Sequence, residues 1–178
     1  MTVLTVGHST RSLAELVGLL TSNRVEELWD VRTVPGSRRM PHFSAASLAV
    51  ELPRHGIAYR HLKALGGLRR PRPDSPNTAW RNQAFRGYAD HMQTPEFAPA
   101  LAELVAAQEG RRLAVMCAEA VPWRCHRSLL ADALLARGVE VLDIIDEHPP
   151  KPHRMTPFAV VDGGRVIYPG TDTLRFDG

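Results

Sequence analysis

The chain opens on "TVLTV", a β-branched run that stops at Gly7. A short apolar run bounded by a turn residue predicts a strand buried on both faces, over residues 2–6. The period then changes. Leu13, Leu16, Val17 and Leu20 recur on one helical face, and Ser12 with Glu15 forms a capping box, so a helix is expected over about 12–22. "VEELWDVR" reads as a second strand ending near Asp30, followed by the Pro/Gly-punctuated loop "VPGSRRMPHF". A helix over about 44–54 leads to "IAYRHL", a third strand. From Gly66 to Arg81 the text has three prolines and no apolar period, which predicts a long basic loop over about 66–82.

Two helices should follow, over about 83–92 and 95–108. Thr94 and Pro95 fit the cap and first position of the second, with Phe97, Leu101, Leu104 and Val105 inward. "RLAVMC" is the fourth strand, Cys125 to Arg137 the next helix, stopped by Gly138, and "VEVLDII" the fifth strand. A Pro-rich segment and a hairpin turning at Asp162-Gly163-Gly164 occupy about 147–170. Strands alternating with helices predict a single α/β domain over 1–178, with a mainly parallel central sheet flanked by helices and a C-terminal hairpin. Ligands in such sheets bind outside the carboxyl ends of the strands. "GHSTR" after strand one, "DVR" at the end of strand two, and Cys117 and Glu119 after strand four should therefore share one edge.

Composition changes this picture little. A hydrophobic fraction of 44% and a charged fraction of 23% are those of an ordinary globular protein. No stretch approaches the ~20 apolar residues that cross a bilayer, and "MTVLTVGHSTR" lacks a signal peptide's basic start, so no membrane partner and a cytoplasmic location are expected. In that reducing setting the two cysteines are expected as thiols. Charge changes the picture more. Between Arg32 and Arg86 stand eleven Lys or Arg against Glu51 and Asp74, whereas the rest of the chain is net acidic. The partner expected is a small anionic ligand or nucleic acid, with a solvated arginine-rich loop as the alternative. No cofactor is expected, and the oligomeric state is open.

The densest chemistry lies in "CAEAVPWRCHRSLLAD", which holds both cysteines. A helix start there would offer free N–H groups and a favourable dipole to an anion, joined by Arg124 and Arg127, and would depress the pKa of Cys125. Three readings compete: an anion site with Cys117 or Cys125 as nucleophile, a metal site, and a redox dithiol. Arg124 stands seven positions after Cys117 with no intervening glycine, which fits no cysteine-phosphatase loop. Cys125 and His126 are adjacent, so their side chains point about 100° apart on a helix and one ion rarely takes both; no metal is expected. The bland alternative for Cys117 is a core thiol ending its strand.

Elsewhere, Gly7, His8 and Ser9 make a tight turn with polar tips. Asp30 is a candidate base, or the partner of Arg32 or Arg127 in an ion pair. Tyr59, His61 and Gly66-Gly67 could extend the site, whereas Trp80, Phe85 and Tyr88 read as packing.

With those pieces assembled, "TVGHSTRSLAELVGLL", "DVRTVPGSRRMPHF", "IAYRHLKALGGLR" and "VMCAEAVPWRCHRSLLADALLARGVEVLDI" resemble the successive blocks of the domain of unknown function 488 family. Cys117, Glu119, Cys125, His126 and Arg127 match its most specific block; Gly7, His8, Ser9, Asp30, Arg32, Pro35, Ser37 and Arg38 match the others. The resemblance implies an α/β fold and a shared site at this edge, and names no reaction. The expectation is an enzyme binding a phosphate-bearing or other anionic substrate. Its catalytic candidates are His8, Asp30, Glu119, Cys117, Cys125 and His126; its binding candidates are Gly7, Ser9, Arg32, Ser37, Arg38, Arg124 and Arg127. A nucleic-acid-binding module and a thiol-redox or metal protein are the alternatives.

Overall fold

β1 (Thr2–Gly7) lies inside a six-stranded sheet in the computed structural model, which describes residues 1–171. The others are β2 (Glu27–Asp30), β3 (Ala58–His61), β4 (Leu113–Cys117), β5 (Glu140–Ile144) and β6 (Lys151–Pro152), in the order β3-β2-β4-β1-β5-β6. The first five run parallel, and β6 pairs antiparallel with β5 at the edge. The β-branched and aliphatic runs become inner strands because both of their faces are covered. Val3 belongs to the core under α5 (Arg127–Leu135), with Leu129 and Leu130. Leu4 and Val6 belong to the core under α1 (Leu13–Ser22), with Leu16 and Leu20. Each such side chain, fully buried, contributes roughly 1.5–3 kcal/mol.

Strand order decides where a site can form. The chain leaving β1 crosses over β4 to reach β2, and the chain leaving β4 crosses over β1 to reach β5. The two neighbouring strands thus send their connections to opposite sides, and a crevice opens between their carboxyl ends. Gly7–Ser9 and Cys117–Glu119 flank it.

Ser12 and Glu15 form the expected capping box on α1, and Ser44 caps α2 (Ala45–Glu51). Past α2 the chain tightens into a 3-10 turn over Leu52–His55, ended by left-handed Gly56. The 66–82 segment is irregular, as expected, but it is pinned. The carboxylate of Asp90, on α3 (Gln83–His91), accepts from Arg72 N, Ser75 Oγ and Asn77 Nδ2. The hairpin of β7 (Val160–Asp162) and β8 (Arg165–Ile167) turns at Gly163 and Gly164, both with the positive φ that this tight turn requires.

Three expectations need correction. Thr94 does not cap α4 (Phe97–Ala107): its hydroxyl donates back to His91 O, closing the end of α3. α5 begins at Arg127 rather than Cys125, because Pro122 starts a 3-10 turn over Pro122–Arg124 and leaves Cys125 extended. β6 lies in a segment that read only as Pro-rich. Among the described residues no helix is long and apolar enough to cross a membrane.

Candidate functional site

β4 ends on Cys117, and the loop beyond it folds back across the end of β1. His8 N donates to Cys117 O and Ser9 N to Ala118 O, so the two strands stay paired past their ends. Glycine is required at position 7 for this: a Cβ there would stand 1.6 Å from Glu119 O. The same loop carries Cys125 to within 2.7 Å of Cys117, sulfur to sulfur. Both thiols are free and buried.

Arg127, the first residue of α5, is fully buried beneath them. Its NH1 donates to Cys117 Sγ at 3.1 Å and to Glu119 O at 3.1 Å, and NH2 donates to Ala120 O at 3.3 Å. Among the described residues no carboxylate pairs with it, and its Nε–H has no acceptor. A buried guanidinium needs a counter-charge, because desolvation of an unpaired ion costs several kcal/mol. The Cys117 sulfur supplies it. Burial alone would push the Cys117 thiol up, but the hydrogen bond from Cys125 and the charge of Arg127 outweigh it and hold it at about 7. Cys125 moves the other way: as donor to the Cys117 thiolate, and buried, it is held protonated well above the ordinary thiol range. The sequence expectation of a depressed Cys125 is therefore reversed: the N–H of Arg127 at the helix start still donates to Cys125 Sγ at 3.5 Å, but the bond to Cys117 and burial outweigh it.

His126 completes the thiol cluster. Its Nε2–H donates to Val31 O at 3.0 Å, so Nδ1 is bare and stands 3.4 Å from Cys125 Sγ. Burial, outweighing the Val31 bond, lowers its pKa to about 4, and the ring is neutral. Gly67 makes room for it, since a Cβ there would lie 2.7 Å from His126 Nδ1.

Beside the thiols, Asp30 and Arg32 form the ion pair that was the alternative to catalysis. Arg32 Nε and NH2 meet Asp30 Oδ1 and Oδ2 at 2.8 and 2.6 Å, and Tyr59 OH donates to Oδ2 at 2.6 Å. Burial and this bond push the Tyr59 phenol up. Arg32 NH1 donates to His8 Nε2 at 3.2 Å, which sets the His8 proton on Nδ1, donating to Ser9 O at 2.8 Å. Burial lowers the His8 pKa and keeps it neutral. These groups are locked to one another.

Above the cluster opens a cavity of about 290 Å³ lined by both cysteines, His126, Arg32, Glu119 and Arg124. Apart from Thr33, its remaining wall is apolar, with Val34, Leu68, Ala84 and Phe85 the larger side chains. Leu68 is 81% exposed and holds a positive φ, a strained conformation for a leucine. Sequence reading missed this wall. Only the Gly66-Gly67 pair beside it gave a signal. Gly7, His8, Ser9, Asp30, Arg32, Cys117, Glu119, Arg124, Cys125, His126 and Arg127 gather at one edge, whereas Ser37 and Arg38 stand exposed on their loop outside the cavity lining. Among the described residues no three His, Cys, Asp or Glu side chains group closely enough to hold a metal ion.

A family model described as "Domain of unknown function DUF488" matches residues 12–134, which include every member of the thiol cluster. No curated protein and no solved structure matches the chain.

Proposed function

This chain belongs to the DUF488 family, and on that footing we propose that the cavity is the active site of a thiol-dependent oxidoreductase acting on a small disulfide that bears an anionic group. One observation carries this: the buried Arg127 guanidinium, without a carboxylate partner, stands 3.1 Å from Cys117 Sγ, itself 2.7 Å from Cys125 Sγ. An arginine-paired thiolate is the nucleophile of thiol–disulfide exchange, and a second thiol in contact with it is the group that resolves the intermediate.

The step balances as follows. The Cys117 thiolate attacks one sulfur of R–S–S–R, the S–S bond breaks, and the first RS⁻ leaves and takes up a proton. Cys125, freed of the thiolate that held its proton, gives that proton to the departing RS⁻ and attacks Cys117 of the mixed disulfide, and the second RS⁻ is expelled and takes a proton from water. The substrate gains two electrons and two protons, and Cys117 and Cys125 end as a disulfide that an external dithiol must reduce. Arg124, at the cavity wall and in no salt bridge with a described residue, would hold the anionic group of R.

Dithiobis(nitrobenzoate), an anionic aromatic disulfide, tests the proposal on reduced protein. Expected are about two equivalents of released thiolate per chain, a Cys117–Cys125 bond by peptide mass mapping, and a rate that rises with pH through a midpoint near 7. Cys125→Ser should stop at the mixed disulfide with one equivalent. Two stable mixed disulfides in the native protein, or a rate that rises only near the ordinary thiol pKa, would sink it.

The basic segment supports nucleic-acid binding less well. Five of its eleven bases, Arg32, Arg54, Arg60, Arg69 and Arg72, are held in salt bridges with acids of this chain.

A further inference from the structure

We propose that a second cavity binds a planar aromatic molecule carrying an anionic group. The cavity measures about 340 Å³, within the range of roughly 300–1,000 Å³ typical of small-ligand sites. It shares no lining residue with the thiol cavity, although the Pro122–Arg124 turn contributes to both.

Two indoles form its walls. Trp80 is fixed in orientation by edge-on packing against Phe85, Phe158 and Tyr168, at centroid distances of 5.0, 4.9 and 5.4 Å. Its Nε1–H is buried and has no acceptor among the described residues. Trp123 is 63% exposed on a turn stiffened by Pro122. A large indole held in water at the rim of a concavity gains free energy when a flat apolar surface covers it.

The charge at this cavity is cationic and available. Lys151 and Arg154 are exposed, and neither forms a salt bridge with a described residue, although Lys151 lies near enough to Asp146 to help lower its pKa. His153, between them, is already committed: its ring nitrogens meet Asp132 at 3.0 Å and Asp143 at 3.1 Å. Asp143 is thereby answered locally, and the two flexible cations remain for a ligand's anionic group. Aromatic walls next to unpaired cations match a ring joined to a phosphate or a carboxylate. A purely apolar ligand would leave Lys151 and Arg154 idle, and a bare anion would leave Trp123 uncovered.

Calorimetric titration of the full chain distinguishes these. AMP carries a ring with a phosphate, indole-3-acetate a ring with a carboxylate, adenosine the ring alone, and inorganic phosphate the anion alone. Saturable binding of AMP or indole-3-acetate is expected, the successful one naming the anion. Adenosine and inorganic phosphate should bind at least roughly tenfold more weakly. The double substitution Lys151→Ala/Arg154→Ala and, separately, Trp123→Ala should each weaken binding by a similar factor; all three positions are exposed, so folding, checked by circular dichroism, should survive. Failure of both aromatic anions to saturate, phosphate binding as well as AMP, or unchanged affinity in the double variant would overturn the proposal. The thiol chemistry has no part in this test, so either proposal can fail alone.

Discussion

At the scale of single residues, the site turns on how a buried cation finds its counter-charge. Arg127 has a thiolate where most buried arginines have a carboxylate, and together with the larger effect of the hydrogen bond from Cys125 it holds the Cys117 thiol at about 7 against burial. Cys125 contributes by donating its S–H to the same sulfur. Cys125→Ala removes that donor, so the Cys117 midpoint, followed by ultraviolet thiolate absorbance, should rise above the native value. A midpoint that stays put would mean that Arg127 alone sets it. Gly7 is the other decisive residue. Gly7→Ala puts a methyl 1.6 Å from Glu119 O and 2.9 Å from Arg127 NH1, so the Cys117–Arg127 loop must shift. Denaturant unfolding should report a loss on the order of 3 kcal/mol, with slower thiol reaction in the folded protein.

At the scale of elements, one imidazole adds an ionic clip to the backbone and side-chain bonds that hold β6 and the segment beyond it to the domain. His153 joins Asp132 on α5 to Asp143 on β5. Tyr168 OH also reaches Asp132, and Thr5 Oγ1 reaches Asp143. Burial alone would lower the His153 pKa, but the two carboxylates outweigh it and raise it to about 9. A histidine pKa raised on folding stabilises fully below its unfolded value near 6.5, and that contribution is lost as pH rises through about 9. The amount at stake is on the order of 3 kcal/mol. His153→Asn should therefore lower stability at pH 6 and converge on the wild type above pH 9, as measured by unfolding across the pH range. A pH-independent deficit would show that His153 acts through packing alone.

At the scale of the whole molecule, the two ionic clusters oppose each other. The Cys117 pKa is lowered on folding, so its contribution is present above the unfolded thiol pKa and lost as pH falls through about 7, the reverse of the His153 trend. Wild-type stability should thus vary little between pH 7 and 9, whereas Cys117→Ala should decline steadily across that window. On the acid side His8, His91 and His126, buried and neutral, should destabilise the fold as pH drops below the ordinary histidine value. The periodicity of the chain sufficed for the α/β class, five parallel strands and their helices, because buried strands and one-sided helices write their burial directly into residue spacing. The capping box on α1 and the Gly-Gly hairpin turn were equally local. β6 was hidden because two residues carry no period, and the start of α5 was misjudged because a proline-led turn competes with a helix over the same residues. The convergence of "GHS", "DVR" and "CAE…CHR" on one edge followed from the strand–helix alternation. Only the tertiary structure decided which side chains those residues meet there. Asp30 and His8 are spent on Arg32, Cys117 is paired with Arg127, and Cys125 rather than a helix dipole sets the thiol. Such assignments depend on which side chains meet across strands far apart in sequence, and distance in space, not spacing along the chain, fixes every one of those charges.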